Sequence, residues 1–339
     1  TVAFHSHIPE KHDFLTQYRG SFEKSMKGIS NMLRHNVKLS IKNNIVNYTY
    51  QDLPEYVKPT QKCFAGAWYR KVVSPVGDWI GIEGEIELGE FIPDPKRFNL
   101  DGKGRNMDNP NLYMGGKAEL ESDCGIGYNL TYPTADNSYE LGLDAPKLGY
   151  RPFWRYIYKT RETENGCTLV KNINSWNAAD PKNFAYYYFP GDVVRMKVYS
   201  PIPNYLQLRI EVVKTTTNPK YVEIRKRYNL PNDCPQDFYS PLFLSEGHGL
   251  GHAEFKRVNS IDQYGNEGYA AKDTDAVMST ATWNNCYLYR EVNGQVVKYP
   301  FTEDIYCSLI CPNELAVSVE EHNKELGGEK VTIHPGKCK

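Results

Sequence analysis

Three groups of side chains in this sequence have types and spacings that could do chemistry. In residues 77–91, read with period two, Ile80, Ile82, Ile86 and Leu88 point one way. Trp79, Glu83, Glu85, Glu87 and Phe91 point the other, giving a half-buried strand with a carboxylate-and-aromatic face for solvent or a ligand. Residues 117–128 repeat the plan, with Glu119, Glu121 and Asp123 opposite Ala118, Leu120, Cys124 and Ile126. The second group is Glu246-Gly-His-Gly-Leu-Gly-His-Ala-Glu254. There His248 and His252, with Glu246 or Glu254, offer donors to a divalent metal, zinc or calcium. The glycines oppose a helix, so the competing reading is a loop that lets a neighbour come close. The third group is aromatic. Trp154, Tyr156 and Tyr158 share one face of a strand, and Trp79 stands on the earlier one. Such faces stack on sugar rings or fill a large core.

Weaker candidates surround these. His5, His7 and His12 cluster near the start of the chain, where exposed imidazoles are the simpler reading. The polar loop 101–111 carries Asp101 and Asp108, but Lys103 and Arg105 intrude on any calcium site there. No Ser-His-Asp or Cys-His pattern and no glycine-rich phosphate loop can be read out.

Elements must position these groups, and the pattern is of short strands. They are expected around 65–74, 78–91, 111–128, 150–160, 185–199, 204–213, 220–228, 252–262, 274–290 and 295–301, punctuated by Pro, Gly and Asn. Asn293-Gly294 at the centre of 291–296 is a hairpin signal, and 37–50 reads as a second hairpin. Residues 1–36 differ: Phe14, Tyr18, Phe22, Met26, Ile29 and Leu33 recur at helical spacing, predicting an amphipathic helix. Residues 302–315 suit a helical turn. The expected fold class is therefore all-β, a two-sheet antiparallel jelly-roll sandwich with an N-terminal helix and a disulfide-pinned C-terminal tail. Its parts would be 1–60, helix and hairpin; 61–301, the sandwich; and 302–339, a cysteine-containing extension.

The totals narrow the function classes. Lys+Arg is 40 and Asp+Glu is 41, with no basic run, which argues against nucleic acid as a main partner. Apolar runs are far too short for a membrane span. The eight cysteines, Cys63, Cys124, Cys167, Cys234, Cys286, Cys307, Cys311 and Cys338, form no CxxC pair. They read as up to four disulfides and an oxidising compartment, against buried free thiols. A start at Thr1 fits a removed signal peptide, and Asn47 and Asn129 fit glycosylation acceptors, so a secreted, extracellular glycoprotein is expected.

A strand alternating Gly, Ile and carboxylates, followed by polar loops and returning strands over about 64–300, resembles the concanavalin A-like jelly rolls. That superfamily includes lectins, glucanases and polysaccharide lyases. The resemblance implies two curved sheets that bind polysaccharide or another glycan. It also implies roles within Glu85-Ile-Glu-Leu-Gly-Glu90: Glu85 as nucleophile, Glu87 as its helper and Glu90 as acid/base. The two working carboxyls would stand about 5 Å apart, with Gly89 supplying a bulge. The family's central Asp is replaced here by Glu87, and Gly89 takes a usually apolar position. The sequence thus points first to a secreted, disulfide-stabilised carbohydrate-binding protein using Trp154, Tyr156, Tyr158 and Trp79. The alternatives are a glycoside hydrolase or lyase using Glu85 and Glu90, and an extracellular structural or surface-assembly protein.

Overall fold

The computed structural model describes residues 2–3, 12–13, 16, 19–35, 41–42, 61–131, 147–164, 167–181, 183–227 and 234–338. The chain divides into two units, Thr1–Val57 and Lys58–Lys339. In the first, the helical periodicity is realised as α1, Ser21–Arg34. Asp13 caps it: its carboxylate accepts from the Phe22 amide at 2.8 Å and the Ser21 hydroxyl at 2.9 Å, and also from the Gly20 amide. These bonds satisfy amides that the helix leaves unpaired, and they hold the Asp13 carboxyl below its usual range. Val2–Ala3 pairs in parallel with Ile41–Lys42. The rest of the hairpin expected at 37–50 lies outside the described residues, as do Asn47, His5 and His7.

The second unit is a two-sheet antiparallel sandwich. Its strands in chain order are β1 (Ala67–Val73), β2 (Trp79–Glu87), β3 (Asp108–Lys117), β4 (Glu121–Thr131), β5 (Lys147–Glu164), β6 (Cys167–Ala178), β7 (Val193–Tyr199), β8 (Tyr205–Lys214), β9 (Glu254–Gln263), β10 (Val277–Val292), β11 (Gln295–Pro300), β12 (Cys307–Cys311), β13 (Val317–Glu321) and β14 (Glu329–Ile333). One sheet runs β12-β1-β9-β3-β4-β5-β6. The other runs β8-β7-β2-β10-β14-β13, with β11 added to β10 and the short strand Phe238–Tyr239 flanking β8. Asn293 and Gly294 both take positive φ in the β10–β11 turn, as the Asn-Gly signal requires.

Period-two alternation explains the core. Ile82, Ile86, Val194, Met196, Val198, Leu208 and Ile210 from one sheet join Leu112, Met114, Ile126, Phe255 and Ile261 from the other in one buried cluster. The Trp283 indole spans the layers and donates to Asn259 Oδ1 at 2.8 Å. One ionic knot is also sealed inside. Glu329 on β14 meets Arg70 of β1 at 3.0 Å and, on its other oxygen, Arg257 of β9. Burial alone would raise the Glu329 carboxyl, but the two guanidinium groups outweigh it and hold it below the usual range.

Several expectations needed correction. Residues 220–228 do not form a strand: Pro219–Arg227 is a helix, α2. Tyr-Val-Glu-Ile mimics strand alternation, but Tyr221 and Arg225, four apart, are the buried positions. Arg225 is ion-paired with the equally buried Asp192. Residues 307–311 are a strand rather than a helical turn, because Cys307–Cys311 pairs with β1 along its whole length. The C-terminal region is no appendage: β12 joins one sheet while β13 and β14 extend the other. Among the described residues one disulfide forms, Cys63–Cys311, in place of four. Cys124 and Cys286 are buried thiols, and Cys234, Cys307 and Cys338 are also free; the Cys167 side chain lies outside the described residues. Cys338 therefore pins nothing covalently, although it packs against the core.

Candidate active site

The structure does not bring the carboxylates of β2 together as a catalytic pair. Glu85 accepts from Arg195 at 3.0 Å and from the Asn284 amide at 3.2 Å on the outer face of the ten-stranded sheet. Glu90 lies past the strand end and accepts from Lys220 at 3.0 Å and the Tyr221 hydroxyl at 3.2 Å. The two carboxylates are engaged by different cations on different elements, so they do not form the close pair a retaining glycosidase needs. Gly89 does not supply a bulge for them. It is a glycine because any side chain there would collide with the Ser279 carbonyl of β10. Glu87 is exposed at the end of β2.

The aromatic stripe is largely taken up by packing: Trp79 is core, and Trp154, Tyr156 and Tyr158 are half-buried. Trp79 is 2% exposed, and its indole donates to the Pro75 carbonyl at 3.1 Å. Trp154 packs against Phe238 at 5.8 Å between ring centroids, and Tyr156 stacks on Phe243 at 5.1 Å. Tyr158 follows on the same face, 5.9 Å from Tyr156. The face expected to meet sugar is thus half-buried, with Trp154 and Tyr156 packed against the core.

The histidine loop makes no metal centre, and no group of three His, Cys, Asp or Glu among the described residues is placed to hold one. His248 is fully buried with its Nδ1 2.9 Å from the Ser245 hydroxyl, which in turn lies 2.7 Å from Ser122 Oγ. Burial pushes this imidazole down to about 4, so it is neutral at ordinary pH. His252 is exposed, and Glu254 sits on the opposite, outer face of the seven-stranded sheet, where Gln61 reaches it at 3.5 Å. In the 101–111 loop, Asp101 is taken by Arg105 at 2.7 Å and Asp108 by Arg97 at 2.7 Å.

What the fold does assemble is a polar cluster on that outer face. Alternation places Tyr69 and Lys71 of β1, Glu254, Lys256 and Asp262 of β9, Asn111 and Tyr113 of β3, and Glu121 and Asp123 of β4 on one surface, because their neighbours Trp68, Val72, Phe255, Ile261, Leu112 and Cys124 face the core. Lys256 is buried between Asp123, at 2.6 Å, and Glu121. Burial alone would depress its ammonium, but the two carboxylates together hold it above the usual range. Burial, with Lys256 nearby, lowers Lys71, and burial raises Glu254. Burial pushes the Tyr69 phenol up to about 12 and raises Tyr113 well above its usual range. Such a concentration of displaced proton affinities is a mark of functional sites.

Asp262 stands out among them. Its Oδ2 accepts from the Asn111 side-chain amide at 2.6 Å. Burial pushes its carboxyl up to about 6; Asp123 and Glu267 add to this, and the Asn111 bond opposes it. A carboxyl at that level gains and loses its proton near neutral pH, as a general acid or base must.

Beside this pair opens a cleft of about 240 Å³ lined by Asn109, Asn111, Gly127, Arg151, Phe153 and Trp176, among others. Asn109 is the cross-strand partner of Asp262. Gly127 forms the floor; a side chain there would strike the Asn111 amide. Trp176, on the outermost strand β6, stays 60% exposed and stands 5.7 Å from Phe153.

Sequence reasoning singled out Asp123 and Glu121 on their face of β4 but missed Asp262, Asn111, Arg151 and the strand carrying Trp176. Alternation in residues 254–263 could have placed Asp262 outward. Nothing in a single sequence shows that Asn111, 151 residues away, would meet it.

No family model matches the sequence, and no curated protein matches it. Solved structures that are similar at low levels include three peptidases. A scytalido-glutamic peptidase with a peptide-based transition-state analogue has 6% identity and TM-score 0.39, covering 79% of this chain and 98% of its own. A scytalido-glutamic peptidase with a transition-state analogue inhibitor has 8% identity and TM-score 0.41 over the same shares. SCP-B, a member of the eqolisin family of peptidases, in complex with the tripeptide Ala-Ile-His, has 7% identity and TM-score 0.38, again over 79% and 98%. These are named as peptidases. With Trp154 and Tyr156 packed half-buried against Phe238 and Phe243, and Glu85 and Glu90 engaged by separate cations, the carbohydrate reading of the sequence is withdrawn.

Proposed function

We propose that the outer face of the seven-stranded sheet hydrolyses an amide bond in a peptide substrate, with Asp262 moving the proton. The observation that carries this reading is the Asp262–Asn111 pair, a carboxyl pushed up to about 6 and joined to a side-chain amide at 2.6 Å beside an open cleft. Ionised Asp262 takes a proton from a water molecule as its oxygen attacks the carbonyl carbon. Neutralising Asp262 weakens its charge-assisted bond to Asn111, which frees an amide hydrogen for the oxyanion. Collapse then breaks the C–N bond, and the proton on Asp262 passes to the leaving nitrogen.

A peptide suits the cleft because Asn109, Asn111 and Asn177 line it. Each side-chain amide offers a donor and an acceptor, the same complement an extended backbone presents. The Cys63–Cys311 bridge supports placing the protein in an oxidising compartment, and we include secretion in the proposal. No described helix is long and apolar enough to cross a membrane.

The test is cleavage of a mixed peptide library followed by mass spectrometry. Cleavage is expected to appear with the native chain and to rise with pH through about 6, and to vanish in Asp262→Asn. Products that persist unchanged in that variant would refute the assignment.

A further inference from the structure

We propose that Arg151 and Trp176 form a subsite for a carboxylate on the substrate, supplied by an acidic side chain or by a free C-terminus. Its position relative to the cut bond rests on the hydrolytic reading above; its chemistry does not.

The argument starts from two neighbouring arginines on β5. Arg155 is satisfied: it meets Glu267 at 3.0 Å and Asp123 at 3.6 Å and lies over the Trp176 ring at 5.3 Å. Arg151, which lines the cleft, has no ion-pair partner among the described residues. Among the described residues it bonds to the phenol of Tyr187, whose own hydroxyl donates to the Pro181 carbonyl at 3.0 Å. A guanidinium carries five donors in a planar fork that fits a carboxylate in two parallel bonds. One such group left without an anion, in a cavity walled by Phe153 and Trp176, is built to receive one. The exposed indole supplies a flat apolar wall, which screens the contact from water and strengthens it.

Register fixes how far this subsite lies from the proposed chemistry. Arg151 is opposite Gly127, and Gly127 is opposite Asn111. Two strand spacings, about 10 Å, therefore separate Arg151 from the amide that holds Asp262, with a glycine floor between them. Two to three residues of extended peptide span that gap at about 3.3 Å each. The carboxylate should thus belong to a residue within about three positions of the cut bond.

Two measurements test this on the full chain. The first profiles cleavage of a peptide library containing both internal Asp/Glu and free or amidated C-termini. An acidic group within three positions of the cut should be enriched, and Arg151→Gln should remove the enrichment while Arg151→Lys keeps part of it. The second follows tryptophan fluorescence of Asp262→Asn on adding an octapeptide with one central Glu, its Gln counterpart, and the C-terminally free and amidated forms of each. A carboxylate should improve binding about ten-fold or more, in line with a charged hydrogen bond, and Trp176→Ala should weaken it. Whichever pair shows the gain identifies the source. Cleavage without acidic enrichment, or equal binding of charged and amidated peptides, would overturn the subsite. Carboxylate-selective binding that depends on Arg151, with no cleavage by the native chain, would uphold the subsite and sink the hydrolytic reading.

Discussion

Replacing Asp262 with Asn should move activity and stability in opposite directions. In the folded protein, burial pushes this carboxyl from 3.8 to about 6. The native state thus binds the proton more tightly than the unfolded chain does. The group's contribution to stability is fully present below about pH 4 and is lost as pH climbs through about 6. Two pH units correspond to about 3 kcal/mol, and residual solvent contact trims this to about 1–3 kcal/mol. The amide variant has no charge to desolvate, and its oxygen still accepts from Asn111. At pH 8 it should therefore be more stable than the native chain by about that amount, and at pH 4 the two should match. Cleavage should meanwhile fall about 10²- to 10⁴-fold, the share a general base supplies, or about 3–5 kcal/mol of barrier. Urea unfolding at both pH values, paired with kcat/KM on a cleaved peptide, reads both effects. A variant destabilised equally at pH 4 and pH 8, or one that cleaves at the native rate, would refute the reasoning.

Other perturbations have equally definite outcomes. Glu329→Gln leaves Arg70 and Arg257 buried without a counter-charge and should cost about 3–5 kcal/mol in urea unfolding at constant m; a loss under 1 kcal/mol would mean the knot is wet. Burial lowers His248 from 6.5 to about 4, so the stability its neutral form gives above pH 6.5 is lost as pH falls toward 4. That loss is about 3 kcal/mol, and His248→Asn should flatten the native chain's acid limb by a similar amount, whatever its own baseline. Replacing Cys63 and Cys311 with Ser opens a link across 248 residues and should cost about 2–5 kcal/mol, with no further loss on adding reductant.

How much of this was legible in the sequence depends on which distances matter. The two-sheet sandwich could be read because period-two alternation in β2, β7 and β8 records burial directly, residue by residue. Strand β6 escaped because it is an edge strand with polar residues on both faces, so burial imposes no alternation on it. Helix α2 was misread because nine residues are too few for two periods to separate. The aromatic stripe was correctly assigned to one face, but one strand cannot tell whether a face meets solvent or a second sheet; Phe238 and Phe243 decide that. The site itself was largely invisible. Asp262 meets Asn111 only through the pairing of β9 with β3, and a lone aspartate carries no local sign of its proton affinity.

The interleaving of β12, β13 and β14 bears on how the protein is made. During synthesis, residues up to about 300 emerge with Arg70 and Arg257 facing what will become the interior, yet their sole shared carboxylate has not been translated. A closed sandwich at that stage would trap two bare cations. The carboxylate that neutralises the two guanidinium groups thus comes from one of the last strands in the chain, so removing β14 would take away a counter-charge as well as a strand.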